Sequence, residues 1–311
     1  MDWKYRAGLG LLLCVWAQAQ DLPAVRTLTA AGSFAIPGSA SLRLIVAQSS
    51  GASMWFLLSG KNYNEAVRTD SLGLKQMSFA LPSPVGSPIS SVCASEVGRF
   101  AVVHYSGQID VFSSAGALSD TLKAAKDRHG CVFDGEALLG IGSSGVTPME
   151  GSAGKPLAVG EFALSPNTFF ARDHHIVAID PADAVTHVLD TDRGELQTAP
   201  LLAPEIQGFV RPAHIKSYEV PVLAYAAQDA IQGDIYAVVN GVNFSKGVIV
   251  LKFDEQGRLT GRLRCVIPNS AAWVTTKNRD GHFQGGNIAV ADGKLLWISP
   301  AQKQVVYFAL N

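Results

Sequence analysis

One hairpin recurs along this chain, and its recurrence constrains the fold more than any single motif does. Residues 109–122 (IDVFSSAGALSDTL), 176–189 (IVAIDPADAVTHVL) and 248–263 (VIVLKFDEQGRLTGRL) align without gaps around their turns. Phe112, Ile179 and Phe253 share one position, and Leu118, Val185 and Leu259 share another. Between them Gly116, Asp183 and Gly257 fall where a tight turn calls for a residue tolerant of positive φ. Two further strand-like runs precede each hairpin, which makes the repeating unit four strands. Residues 90–94, 99–105, 108–113 and 118–123 form the clearest set.

The rest of the chain follows the same habit. Short runs of Val, Ile, Phe and Leu alternate with clusters of Gly, Ser, Asp and Pro, and no long 3.6-residue period competes. Repetition over some tens of residues separates a ring of sheets from a sandwich or a barrel. Units can be drawn over residues 42–81, 90–123, 130–159, 162–190, 219–267 and 287–311. The unit at 130–159 is Gly-rich and weaker, and the last has three strands, at 287–291, 294–298 and 304–310. The strand left over lies at the start, residues 24–30 (AVRTLTA). The expected fold is therefore all-β: a six-bladed β-propeller closed by an N-terminal strand that completes the last blade. Closure of this kind removes the exposed edges and apolar faces that an open sheet would carry. Seven blades are the alternative, because residues 191–217 are long enough to hide a weak one, and a pair of β-sandwiches comes third.

Residues 253–259 (FDEQGRL), followed by Gly261-Arg262-Leu263, resemble the outer hairpin of secreted six-bladed propellers of the NHL and SMP-30-like (TolB-like) kind. The likeness covers the blade pattern over most of the chain, although the NHL consensus is intact in no blade. It implies the fold. It also implies an alternative activity, because calcium-dependent lactonases of that kind gather Glu, Asn and Asp side chains near the channel mouth. Glu161, Glu219 and Asn287 start or precede inner strands here, as either a Ca2+ site or an ordinary polar rim requires.

The first residues read as an export signal. Lys4 and Arg6 precede a short apolar run, Gly8 to Trp16, and Ala17-Gln18-Ala19 supplies small residues for cleavage near Ala19. The run is about half the roughly 20 residues that a membrane span needs. The expected organisation is a signal peptide over residues 1–19 and one propeller domain over 20–311, secreted or periplasmic and monomeric. Charge is balanced, 25 basic residues against 26 acidic, which gives no argument for nucleic acid or an anionic membrane. Cys14 lies in the signal, leaving Cys93, Cys131 and Cys265 without C-x-x-C spacing. Cys93 and Cys131 fall at comparable places in successive units and so permit one bridge, but three small buried hydrophobes is the more common reading.

No catalytic signature stands out. The chain has no G-x-S-x-G and no H-E-x-x-H, and the GIGSSG stretch at 140–145 opens no helix that could hold a phosphate. What remains is a binding or interaction module for a small molecule, a glycan or a protein, with a metal-assisted hydrolase of the lactonase kind and a structural cell-envelope component as the alternatives. Its site is expected where the two longest connections, residues 191–217 and 268–286, crown one face. Trp273 with Lys277, Asn278, Arg279, Asp280 and His282 offers an aromatic anchor among hydrogen-bonding groups. Arg211 and His214 come from the other connection, Asn243 from residues 240–247, and Asp173 with His174 from a short DHH turn assigned to the same face. Asn243-Phe244-Ser245 also matches a glycosylation sequon. Adjacent residues of an extended strand point to opposite sides, so Asp173-His174-His175 makes a poor metal site, and no resident metal or other cofactor is expected in this reading.

Overall fold

A computed structural model describes residues 22–38, 43–60, 64–81, 89–123, 128–142, 145–149, 169–210, 221–240, 247–267, 287–299 and 302–311. Two short strands come first, β1 (Val25–Thr29) and β2 (Gly32–Ala35). One four-stranded sheet follows from β3 (Arg43–Ser50), β4 (Ser53–Ser59), β5 (Asn64–Asp70) and β6 (Lys75–Leu81). The next comprises β7 (Ile89–Ala94), β8 (Phe100–His104), β9 (Gln108–Phe112) and β10 (Leu118–Lys123). A three-stranded sheet is made by β11 (Arg128–Asp134), β12 (Ala137–Gly142) and β13 (Gly145–Pro148). Then come β14 (Phe169–Arg172), β15 (His175–Asp180), β16 (Val185–Asp190) and β17 (Glu195–Pro200), followed by a single helical turn, α1 (Pro204–Gln207). The chain ends with β18 (Leu223–Gln228), β19 (Ile235–Val239), β20 (Val248–Phe253), β21 (Leu259–Val266), β22 (Asn287–Ala291), β23 (Lys294–Ser299) and β24 (Gln304–Ala309).

The sheets are antiparallel meanders arranged as the blades of a β-propeller. Their first strands face the axis: β3 packs on β7, β7 on β11, β11 on β14, β18 on β22 and β22 on β3. The second strands are buried on both faces because each sheet lies between two neighbours, so β4 and β8 read as unbroken apolar runs. Met54, Phe56 and Leu58 fill the seam on one side of their sheet, while Trp55 and Leu57 fill the seam on the other. In the second of these seams the Trp55 ring stacks on Phe100 at 4.8 Å between centroids.

The expectation of six four-stranded blades is corrected. Among the described residues five sheets carry four strands or more, and the sheet of β11 to β13 carries three. The Gly-rich stretch after β13, residues 150–168, lies outside the described residues. The unit placed at 162–190 begins instead at Phe169 and runs on to Pro200, so residues 191–217 contribute the outer strand β17.

Closure also differs in detail. The strand that completes the last sheet is β2, antiparallel to β24 with Gly32 opposite Tyr307. The segment expected there, β1, pairs in parallel with β21 as a fifth strand of the preceding blade. Both are strands, but one crosses to a different blade from its neighbour.

The hairpin alignment holds at two turns and slips at the third. Gly116 and Gly257 take φ of 80° and 75°, whereas between β15 and β16 the positive φ falls on Ala184 (55°), not Asp183. The cause is register: Asp180 faces Val185 there, one residue tighter than Phe253 facing Leu259. A Cβ at Gly257 would lie 2.8 Å from the Pro200 carbonyl oxygen of the adjacent blade, whereas one at Gly135 (φ 57°) would meet nothing within 4 Å. Gly257→Ala is therefore expected to destabilise by about 2 kcal/mol and Gly135→Ala by about half as much, read as shifts in urea midpoint. Equal shifts would show that backbone strain alone matters.

Cys93 of β7 and Cys131 of β11 form a disulfide, with Cα atoms 5.7 Å apart. The reading of both as simple buried hydrophobes is thus overturned. First strands of adjacent blades run side by side, which brings the two positions together although 38 residues separate them. The remaining thiol, Cys265, is buried, and burial pushes its pKa up to about 12.

Candidate ligand cavity at one rim of the channel

Five first strands end at the same rim, and their ends with the turns that follow line one cavity of about 290 Å³. The wall comprises Gln48 to Gly51 after β3, Ala94 to Glu96 after β7, Val132 to Gly135 after β11, Phe169 to His174 around β14, and Gln228 with Ala230 after β18. A narrower space of about 20 Å³ continues along the axis between β3, β14, β18 and β22.

The floor is largely apolar. Phe133 and Phe169 are buried, and Phe170 is half-buried beside them. Two amide side chains interrupt it. Gln228 is 2% exposed, and its Nε2 donates to the Gly233 carbonyl at 3.1 Å, which fixes the orientation of the amide. Its Oε1 and the buried Oε1 of Gln48 have no hydrogen-bond partner among the described residues. A buried acceptor left unpaired costs about 1–3 kcal/mol, so two at one cavity are a specific feature. Both belong to strands whose backbone bonds are already made, so neither can be satisfied by a shift in register.

The rim is ionic. Asp173 and His174 form a two-residue turn with φ of 48° and 61°, the geometry that joins twisted strands most directly. The turn is held from the next hairpin, where the Thr191 N–H donates to the His174 carbonyl at 2.8 Å. It presents the His174 Nδ1 at 3.4 Å from Asp134 Oδ2, and Thr191 Oγ1 donates to the same carboxylate oxygen at 3.3 Å. Arg172 is held between Asp173 (3.2 Å) and Glu255 (2.7 Å), so its charge is met within the protein. Ser50 Oγ donates to the Ser95 carbonyl, and Ser95 Oγ accepts the Arg99 N–H at 2.9 Å. Glu96 stands exposed at the edge.

Two of the side chains expected in a site, Asp173 and His174, therefore do line a cavity. They do so at the rim of the turns between first and second strands, opposite the turns between second and third strands where the long connections were expected to gather them. The reason is topological: the DHH segment joins β14 to β15, and successive turns of a meander alternate between ends. Arg211, His214, Asn243, Trp273, Lys277, Asn278, Arg279 and His282 lie outside the described residues, as do Glu161 and Glu219. Asn287 is described, with Nδ2 donating to the Ala47 carbonyl at 3.3 Å and Oδ1 accepting the Ile288 N–H at 2.9 Å. Those bonds tie β22 to β3. Among the described residues no three His, Cys, Asp or Glu side chains converge as a metal site would need, and no helix is long and apolar enough to cross a membrane.

Sequence reasoning missed Gln48, Gln228, Glu96 and Asp134. A partial signal exists, because five sheets place a polar residue at or just past the end of the first strand: Ser50, Ser95, Asp134, Asp173 and Asp229 occupy comparable places, with Gln48, Glu96 and Gln228 within two positions of them. Aligning units on their first strands rather than on their outer hairpins brings those residues into one row.

No family model matches this chain, and no curated protein matches it in sequence. Solved structures do match in shape. The U3-55K structure superposes with a TM-score of 0.56 at 11% identity, covering 91% of this chain and all of that one. The WD40 repeats of RRP9 give 0.58 at 11% identity over 93% of this chain and all of that one. The WD40 domain of Pan2 from Neurospora crassa gives 0.50 at 10% identity over 93% of this chain and 98% of that one. Likeness at such low identity establishes a β-propeller fold and no narrower family.

Proposed function

We propose that this protein is an exported binding module that takes its ligand into the cavity between the ends of β3, β7, β11, β14 and β18. The observation that carries this reading is the pair of buried amide oxygens, on Gln48 and Gln228, left without partners among the described residues at a recess of ligand size. The Cys93–Cys131 bridge supports export, since such bridges persist in oxidising compartments, and the Lys4-to-Ala19 segment has the composition of a cleaved signal. WD40 repeats among the structural neighbours accord with an interaction role. The connections carrying Trp273 and Arg279 supply a second candidate surface for the same role.

A thermal-shift screen of small molecules against the purified mature chain tests the assignment. Hits are expected to lose at least tenfold in affinity on Gln228→Leu and on Asp134→Asn while Trp273→Ala leaves them unchanged. Hits that ignore both cavity substitutions and vanish on Trp273→Ala would move the site to the connection that carries Trp273.

A further inference from the structure

The cavity also states the chemistry of its occupant. Resting on the assignment of the ligand site just made, we infer that the ligand is an organic ammonium: a primary amine carried on an apolar or aromatic body.

The argument is a count of donors and acceptors. Among the described residues Gln48 Oε1 and Gln228 Oε1 are acceptors without partners, and the Gln228 amide cannot turn its NH2 inward without breaking its bond to the Gly233 carbonyl. The Gln228 oxygen therefore awaits a donor, and so does the Gln48 oxygen as its amide is oriented. The nearby carboxylates of Glu96 and Asp134 add negative charge at the mouth. Positive charge does not balance them, because Arg172 is bound to Asp173 and Glu255, and His174 already leans on Asp134. An anion entering here would meet two carboxylates and two amide oxygens, and the Arg172 and His174 donors that could offset them are already turned to carboxylates, leaving serine hydroxyls and the Gln48 NH2. A neutral hydroxyl brings one donor, too few for two acceptors. A primary ammonium brings three donors and a charge, all of which the site can use. The phenylalanine rings of Phe133, Phe169 and Phe170 then receive the body of the ligand, and their faces favour a nearby cation.

The experiment compares phenethylammonium, 2-phenylethanol and 3-phenylpropionate by isothermal titration with the full mature chain at low salt. Phenethylammonium is expected to bind at least tenfold tighter than the alcohol or the acid, and to weaken as salt is raised. Gln228→Leu should remove the preference, and circular dichroism checks that this variant folds. Glu96→Gln, at an exposed position, should weaken the ammonium several-fold without touching the core. Equal or tighter binding of the acid or the alcohol, still sensitive to Gln228→Leu, would overturn the ammonium assignment while leaving the cavity as the ligand site. Absence of binding by phenethylammonium would overturn it as well. By contrast, failure of the site itself would show as screening hits of any charge that ignore Gln228→Leu.

Discussion

Replacing Cys93 and Cys131 together by alanine is expected to lower stability by about 4 kcal/mol, the loop-closure value for a bridge across 38 residues. The effect arises mainly in the unfolded chain, which gains freedom when the crosslink is gone. It also has a structural side. The bridge ties β7 to β11, and β11 begins the sheet that carries three strands among the described residues. Urea titration checks the prediction: the midpoint should fall in the double variant, and dithiothreitol should lower the wild-type midpoint similarly. A wild-type midpoint unmoved by reductant, with free thiols confirmed by labelling, would show that the seam holds without the bridge.

Asp110→Ala is expected to destabilise by about 3 kcal/mol, at the lower end of what removing one partner of a buried pair costs. The Asp110 carboxylate accepts from three side chains. Oδ2 lies 3.0 Å from His104 Nε2, while Oδ1 accepts Gln108 Nε2 at 2.8 Å and Thr121 Oγ1 at 3.1 Å. His104 and Asp110 are almost wholly buried, so solvent replaces their contact poorly. The three partners lie on β8, β9 and β10, and the network clamps the turn between β8 and β9. Thr121→Ala, which removes one donor near the surface, should cost about 1 kcal/mol. Asp110→Asn keeps an acceptor at the same place and should fall between the two. Chemical denaturation of the three variants orders them, and equal losses for Asp110→Ala and Thr121→Ala would show that the histidine contact adds nothing.

Much of the architecture was legible in residues. The recurring hairpin announced a repeat, and the boundaries at Leu81, Lys123 and Asn287 lie where its alignment places them. Pairing was less legible. AVRTLTA has the pattern of a strand and is one, yet nothing in its own side chains specifies β21 rather than β24 as its partner. Pairing partner and register are set by the surroundings. The Ala184 turn shows the same limit, since a one-residue difference in register moves the positive φ onto an unremarkable alanine. Cys93 and Cys131 looked like ordinary core residues because their proximity exists only once adjacent blades are assembled. The cavity was least legible of all. Its polar residues come one or two from each blade, so no local stretch of sequence concentrates them. Long polar segments such as residues 268–286 draw attention by length, whereas single glutamines at strand ends do not.

The two N-terminal strands clasp different blades, and this has a consequence in time as well as in space. Arg26 Nη2 donates to the Leu310 carbonyl, a contact spanning 284 positions. In the order of synthesis β1 thus waits for β21, and β2 for β24. Until then β1 and β2 have no sheet to join, and β21 and β24 keep open edges. Completion of the ring is the slowest class of event for such a chain, because the longest loop must close before its contacts form. An order of assembly in which both ends are delivered before either is needed would suit the export proposed above, in which the chain crosses a membrane unfolded and folds on the far side.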